Sequence, residues 1–258
     1  MNNLNQYFYK IFVPYTVLGI VGVAIAIADP MVLWWTLGFW SLLGIFGSSI
    51  GLHRLFSHRQ FETYRFVELL LAFIGTLTTY GPLLFWVGSH QCHHKFTDTD
   101  KDPTSPSRGF WHSVLTWNLK KQCEKEIVLK SYPCIVIMRD TKLMWFTKQF
   151  FAINYMFLIL LVAVAGYKIA IGGFVLATMI ERIRIGVFVN YLLHTSISGS
   201  YKVSDTVETS KNLVWLYPLT AGFSLHDKHH ADPKTLSEKT RWFEIDLEYY
   251  ICKLITKP

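Results

Sequence analysis

Histidine is the residue type through which this sequence offers the most chemistry. The chain has ten histidines in 258 residues, and nine of them lie in four short stretches, whereas His112 stands apart. The four stretches read HRLFSH at 53–58, HQCHH at 90–94, NYLLH at 190–194 and HDKHH at 226–230. Because neutral imidazole is the commonest nitrogen ligand for transition metals, this clustering predicts metal binding.

The spacing within each stretch indicates how the imidazoles are arranged. On a helix, residues three and four positions apart share a face, so the second and fourth stretches should each present three histidines together. Asn190 and His194 are related in the same way. His53 and His58 lie about 140° apart on a regular helix, which suits two metals better than one, or a helix that loosens there. Two ions with about four or five imidazoles each would use all nine histidines.

The distribution of acidic residues narrows the chemistry. No glutamate forms an E-x-x-H pair with these histidines, as a carboxylate-bridged bundle site requires, and no H-E-x-x-H motif of a zinc peptidase occurs. Imidazoles alone fit oxygen activation better than hydrolysis. Asp98, Asp100 and Asp102 follow the second stretch and are candidates for orienting its imidazoles through hydrogen bonds.

The composition indicates an integral membrane protein. The chain is 51% hydrophobic and 17% charged, with a mean hydropathy of +0.27, whereas soluble domains carry about 25% charged residues. The net charge of +7 suits anchoring to anionic lipid, so we do not expect nucleic-acid binding. No CxxC pair occurs, and we expect reduced thiols, with Cys92 as a packing residue; the cysteines are Cys92, Cys123, Cys134 and Cys252.

Four apolar segments are long enough to cross a bilayer, which takes about 20 residues each. They cover approximately 11–28, 31–52, 145–167 and 169–194, and short links at 28–30 and 166–168 join them into two helical hairpins. We therefore predict an all-α integral membrane protein with four transmembrane helices in two hairpins. The single domain would cover 1–258, with a cytosolic helical cap built from 53–144 and 195–258.

A further apolar stretch at 66–87 is expected not to cross the membrane. One crossing would separate the first histidine stretch from the second, and two crossings need about 40 residues. Tyr80, Gly81 and Pro82 should break its helix. The loop 95–148 carries ten basic residues, whereas the opposite loops carry only Lys168. The positive-inside rule then makes the histidines and both termini cytoplasmic.

At these residues the sequence resembles the membrane fatty-acid desaturases, specifically their delta-9 acyl branch. The matching segments are HRLFSHRQF, WVGSHQCHHKFTDTDKDPTSPSRGFW, NYLLH and HDKHHADP, and the likeness extends over about 11–254. The resemblance implies a non-haem di-iron centre that uses O₂ to introduce a cis double bond into a long-chain acyl group. The implied iron ligands are His53, His58, His90, His93, His94, His194, His226, His229 and His230, with Asn190 holding an iron-bound water.

The sequence departs from that family's pattern at two positions. Gly88-Ser89 replaces the Arg-Asp pair of acyl-CoA members, which favours a lipid- or carrier-linked acyl chain over acyl-CoA. Asp227 replaces an asparagine, which puts a contact behind the fourth stretch in doubt. No His-Pro-Gly-Gly signature of a fused b-type cytochrome occurs, so we expect a separate electron donor, such as ferredoxin or a b-type cytochrome. Basic residues at 120–130 are a candidate docking surface for it.

Two other functions stay open on the sequence. A histidine-box membrane hydroxylase would share the ligands and insert oxygen into a lipid or alkane chain. A metal-handling membrane protein should carry ionisable residues along a path through the membrane. Glu181, Arg182 and Arg184 are the only such cluster, and we expect them to be paired with one another.

The second span is predicted to line the substrate tunnel. Steps of four residues back from His53 pass Ser49 and reach Ile45, Ser41 and Leu37, about 12, 18 and 24 Å along a regular helix. The serines would leave room for the acyl chain, and Leu37 would close its methyl end.

Overall fold

The computed structural model describes residues 6–117 and 130–258, and all regular structure within these ranges is helical. Three isolated bridges, such as Thr63 with Thr256, are the extent of β-pairing there. We label the main helices in chain order. They are α1 Phe8–Ala28, α2 Val32–Ser57, α3 Arg65–Leu77, α4 Leu83–Phe96, α5 Tyr132–Arg139, α6 Thr141–Lys148, α7 Phe150–Tyr167, α8 168–194, α9 Tyr217–Thr220, α10 His226–Ala231 and α11 Leu247–Ile255.

Three helical stretches in the described ranges are long and apolar enough to cross a membrane, namely α1, α2 and the 45-residue run Phe150–His194. Gly166, with φ 81° and ψ 164°, interrupts this run. Glycine adopts a positive φ without steric cost, so the chain reverses here and the ring of Phe157 lies 4.9 Å from that of Phe174. The break therefore divides the run into α7 and α8, at the predicted link 166–168.

The turns of the two hairpins lie at the same end of the molecule. Lys168 Nζ, just after the break, is 2.8 Å from Asp29 Oδ2 in the link between α1 and α2. The helix boundaries differ in part from the prediction. The predicted span 145–167 starts too early, because Asp140 caps a separate helix α6 by accepting hydrogen bonds from the backbone of Lys142 and Leu143.

The second half of α2, Leu42–Ser57, is a π-helix, in which backbone hydrogen bonds run from residue i+5 to residue i. The same pattern continues to His58, whose N–H donates to the carbonyl of His53 at 3.1 Å. His53 and His58 therefore share a face, as expected for a helix that loosens there. The predicted tunnel row takes steps of four residues from His53 back to Leu37, and it assumes a regular α-helix. That assumption is wrong for Leu42–Ser57, which is π-helical.

The apolar stretch 66–87 forms two helices, α3 and α4, and neither is a candidate span. Thr79 (φ 63°) and Gly81 (φ 128°) lie in the turn between them, at the predicted break. Small residues let α3 pack closely on α2, since a Cβ atom at Gly47 would lie 2.8 Å from Thr78 Cγ2. One face of α3 thus packs on α2, while Phe66 and Leu70 stay exposed, and the stretch brings α4 back beside the end of α2.

Two members of the charge cluster of α8, Glu181 and Arg184, are paired as predicted, whereas the guanidinium of Arg182 lies 5.3 Å from the centroid of the Phe12 ring. Glu181 and Arg184 are both at most 2% exposed, and their nearest oxygen and nitrogen lie 2.5 Å apart. Ser48 of α2 donates to Glu181 at 2.7 Å. The network joins α8 to α2 and satisfies both buried charges locally.

The prediction for the cysteines is wrong at one position. Cys92 forms a disulfide, and its sulfur lies 3.7 Å from the carbonyl oxygen of Lys101. Cys134 and Cys252 are free and buried, as expected. Cys123 lies outside the described residues.

Candidate metal centre

The nine clustered histidines come together in two groups. Within each group, the candidate ligand atoms all lie within 4.8 Å of one another. The five-histidine group contains His53, His58, His90, His94 and His229. The four-histidine group contains His93, His194, His226 and His230. The expectation of two sites with four or five imidazoles each is therefore matched by the geometry.

Helices α4 and α10 each contribute to both groups. His90 and His94 of α4 belong to the five-histidine group, whereas His93 belongs to the other. In α10, His229 belongs to the five-histidine group, whereas His226 and His230 belong to the four-histidine group. Each helix therefore lies between the two sites, and its three histidines divide over two adjoining directions instead of converging on one ion.

The Nε2 atoms face one another at distances that suit ligands of a common ion. His53 and His229 are 2.9 Å apart, and His58 and His90 are 2.7 Å apart. In the other group, His194 and His226 are separated by 2.9 Å. Two nitrogens bound at about 2.1 Å lie about 3.0 Å apart at right angles and about 3.4 Å apart in a tetrahedron.

Five of the imidazoles are held in the neutral form that metal binding requires, whereas the Asp102 carboxylate raises the pKa of His93 despite its burial. Burial lowers the pKa of these five well below the usual value for histidine, and the neighbouring imidazoles lower it further; they are His58, His90, His94, His226 and His230. A neutral imidazole keeps a lone pair on the inward nitrogen. These five are therefore built to receive cations and not to carry protons.

Carboxylates lie behind four of the imidazoles, next to Nδ1. Asp102 is 2.9 Å from His93, and Glu238 is 3.1 Å from His229. Glu208 is 3.8 Å from His230, and Asp98 is 3.9 Å from His194. Asp102 is hydrogen-bonded to His93 Nδ1, and a carboxylate in this position fixes the tautomer and makes the inward nitrogen more basic. Glu208 and Asp98 lie beyond hydrogen-bond distance of their imidazoles.

The sequence had indicated only part of this outer layer. Asp102 and Asp98 lie near histidines as expected, but Asp100 is exposed and forms no ion pair with a histidine in the described ranges. Glu208 and Glu238 were missed. Neither stands at a helical spacing from a histidine, so only the folded chain reveals them.

Two further polar predictions have mixed outcomes. Asn190 donates from Nδ2 to the carbonyl of Ser113 at 3.1 Å and lies beside the histidines without belonging to either group; its water-mediated metal role stays a prediction. His112, expected at the polar rim, is buried. Its Nε2 lies 2.9 Å from the carbonyl of Pro103, so this histidine packs against the loop that follows α4.

An apolar cavity adjoins both histidine groups. Its walls include Trp86, Trp117, Ile185, Val189 and Phe223. His90, His93 and His226 also line it, together with Asn190. The lining next to the candidate metal sites is therefore largely apolar, as is usual for small-molecule sites.

The residues predicted for the tunnel do not line this cavity. Leu37 is 48% exposed, and Ser41 and Ile45 are partly buried. The walls of the cavity come from α4, α8, Trp117 and the segment around Phe223. A tunnel through Leu37, Ser41 and Ile45 stays a prediction.

Known proteins identify the family. The model of the fatty acid desaturases matches residues 33–251. The chain belongs to the fatty acid desaturase family. A delta-9 acyl-lipid desaturase 2 of Arabidopsis thaliana is 30% identical over 86% of this chain and 70% of its own length. An sn-2 palmitoyl-lipid 9-desaturase of Nostoc sp. (strain 36) is 30% identical over 83% and 74%, respectively.

Membership in this desaturase family gives the site its chemistry. The chain is a fatty acyl desaturase, an oxidoreductase of lipid metabolism, and its histidine groups are compatible with a metal centre. A more unusual relative is a hex-5-enoyl-[acyl-carrier protein] acetylenase of Moorena producens, 28% identical over 93% of this chain and 81% of its own length. The hydroxylase and metal-handling alternatives are not favoured by these relatives.

Proposed function

We propose that this desaturase introduces a cis double bond at position 9 of a long-chain acyl group, using O₂ and two electrons from a separate redox protein. The observation that carries the proposal is the apolar cavity that opens onto two groups of inward-facing imidazoles. Such a cavity holds methylene groups against the only residues in the described ranges that can gather two metal ions.

The resident metals are proposed to be two iron ions. Neutral imidazole suits iron, zinc, copper and nickel, and the family likeness selects iron among them. The five-histidine group would hold one ion and the four-histidine group the other, with Asn190 beside the second. When bound, the iron pair supplies the oxidising power needed to remove two hydrogens from unactivated methylenes.

The protein's own residues position the substrate and exclude water. Trp86 and Phe223 enclose the cavity next to the histidines, and the ring of Phe223 lies 4.6 Å from that of His53. A rigid apolar wall fixes which methylenes face the metals, since a hydrocarbon chain offers no polar group by which to orient it. Val189 and Ile185 of α8 border the same space.

The acyl group is proposed to be carried on a membrane lipid. The relatives named acyl-lipid and palmitoyl-lipid desaturases support this assignment. Gly88 and Ser89 point the same way, because no arginine stands before the second histidine stretch to bind phosphates. A lipid-linked chain would enter from the bilayer without leaving it.

The topology is proposed to be four crossings with a cytoplasmic cap. The Gly166 break and the Lys168–Asp29 contact support two hairpins whose turns share one side. The excess of basic residues in 95–148 supports a cytoplasmic cap and termini. The predicted donor-docking residues at 120–130 lie almost entirely outside the described residues, so the docking surface stays a prediction.

Purified protein tests the proposal directly. Wild type expressed with iron and reconstituted in lipid should contain about two iron ions per chain. It should also convert saturated acyl-lipid to monounsaturated lipid only when O₂ and a reduced electron donor are both supplied. Iron below one per chain after careful anaerobic loading, or turnover without O₂, would contradict the two-iron assignment.

A further inference from the structure

The side chain of Asp227, the residue that departs from the family's box pattern, is fully buried and points away from the imidazoles. Its Oδ2 accepts hydrogen bonds from the backbone N–H groups of Val203 and Ser204, at 2.6 and 2.9 Å. Its Oδ1 accepts from the hydroxyl of Ser204 at 2.6 Å and lies 3.3 Å from Lys202 Nζ. One carboxylate thus anchors the start of the loop 202–210 to helix α10.

The same loop is closed on itself by Lys202. Its ammonium group donates to the carbonyls of Thr206 and Glu208, at 2.9 and 2.6 Å. The Glu208 carboxylate in turn accepts from the backbone N–H and the hydroxyl of Ser210, at 2.8 and 2.7 Å. The position of Glu208 is therefore set by the loop that Asp227 holds.

This loop reaches two ligands of the four-histidine group. Glu208 lies 3.8 Å from His230 Nδ1. Thr209 donates to Asp98 from its backbone at 2.5 Å and from its hydroxyl at 2.8 Å. Asp98 lies 3.9 Å from His194 Nδ1, too far for a hydrogen bond. Among the described residues this buried nitrogen has no hydrogen-bond partner, so Asp98, its nearest carboxylate, acts on it through charge. Two of the four carboxylates behind the imidazoles are thus placed by the loop, and both serve the four-histidine group.

We infer that Asp227 is a positioning residue for the four-histidine group and acts through the loop 202–210. The inference rests on the proposed two-metal centre. The five-histidine group has a separate support, because Glu238 behind His229 is held by Arg54 at 3.5 Å. Loss of the Asp227 anchor should therefore weaken one metal site and spare the other.

The test compares Asp227→Asn with Asp205→Asn. Asparagine keeps one accepting oxygen but loses the charge facing Lys202 and places N–H groups against the loop backbone. Asp205 is an exposed residue of the same loop, so its change removes the same charge without touching the anchor. Each purified protein is loaded with Zn²⁺, which imidazoles accept readily, and metal content is measured during titration with a chelator.

Wild type and Asp205→Asn should hold two zinc ions per chain. Asp227→Asn should hold one as tightly as wild type and the second about 10–100-fold more weakly. His230→Ala should already lose that second ion, and adding Asp227→Asn to it should cause no further loss. Simultaneous loss of both ions, or two tight ions in Asp227→Asn, would overturn the inference.

A second variant covers a failure of Asp227→Asn to fold. Ser204→Ala removes a single hydroxyl donor to Asp227 and should give a smaller weakening of the second ion only. Unchanged affinity in Ser204→Ala would then overturn the inference. If wild type itself fails to bind two ions, the proposed two-metal centre is contradicted. If every variant binds two ions tightly, the centre stands and only the role of Asp227 is contradicted.

Discussion

His229 and His53 meet with their Nε2 atoms 2.9 Å apart, although 176 residues separate them in the chain. His53 lies in the last turn of the second long helix, which ends at Ser57, whereas His229 lies on the short helix α10. Their contact ties α2, a candidate membrane span, to the C-terminal part of the chain. The five-histidine group therefore exists only when both parts are folded together.

The first prediction concerns this contact. His229→Ala should abolish desaturation and reduce the metal content by about one ion per chain, since His229 also lies 3.1 Å from His94 Nε2. His112→Gln is the matched control, because this buried histidine contacts Pro103 and belongs to neither group. Full activity in His229→Ala, measured by lipid analysis of the expressing cells, would remove this residue from the ligand set.

The second prediction concerns the acyl-binding cavity. Val189→Phe should fill space next to the histidines and lower the preference for C18 over shorter chains by about tenfold or more. Ile183→Phe is the control, because Ile183 lies on the same helix but is 49% exposed. Competing C14, C16 and C18 substrates would be supplied, and the product ratios compared.

The same assay decides between two tunnel positions. The sequence-based row predicts that Ser41→Phe favours shorter chains and Ile45→Ala longer ones, with the distance of the double bond from the carboxyl end unchanged. A response at Val189 with none at Ser41 or Ile45 would place the chain in the cavity between α4 and α8. A response at Ser41 and Ile45 with none at Val189 would place the acyl chain along α2.

The third prediction concerns the carrier of the acyl chain. Purified protein in lipid should desaturate acyl groups of the lipid itself and turn over stearoyl-CoA poorly. The physical reason is the absence of an arginine at positions 88 and 89 to bind the phosphates of CoA. Saturable turnover of stearoyl-CoA at micromolar concentration would reverse the assignment.

The fourth prediction concerns topology. A cysteine placed at Asp29 should react with an impermeant reagent added outside sealed cells, whereas one placed at Arg139 should not. A cysteine at Phe66, which is 76% exposed, should also stay unlabelled, because α3 and α4 return without crossing. Labelling at Phe66 from outside would break the two-hairpin arrangement.

The fifth prediction concerns the buried ion pair. Glu181→Gln should destabilise the protein by about 3–5 kcal/mol, since it leaves the Arg184 charge buried with its carboxylate partner removed. Asp29→Asn removes an exposed partner of Lys168 and should change stability little. Thermal unfolding in detergent measures the stability of both variants. Equal destabilisation by the two changes would show that the buried ion pair contributes no more to stability than the exposed one.

The histidine groups could be predicted largely from the sequence, because helical spacing is a local property. The positions 90, 93 and 94 lie on adjoining directions of any helix, so their closeness needs no knowledge of the fold, whereas the division of His93 from His90 and His94 does. The helix break at Tyr80–Pro82 could also be predicted from the sequence, because proline and glycine disrupt helices by themselves. The matching residues also placed the chain in its family.

Features that depend on distant parts of the chain escaped prediction. Glu208 and Glu238 reach the histidines only through loop paths that no periodicity encodes. The π-helical half of α2 was not expected either, because the spacing of apolar residues does not distinguish it from a regular α-helix. The disulfide at Cys92 likewise depends on tertiary placement.

The most direct test of the central claim is product analysis in a desaturase-deficient host. Wild type and His229→Ala would be expressed, and the acyl chains of total lipid analysed by gas chromatography and mass spectrometry after derivatisation of double bonds. The account predicts a cis monounsaturated chain with its double bond at carbon 9 in wild type and none in the variant. A hydroxylated chain, or no new acyl product from well-expressed wild type, would contradict it.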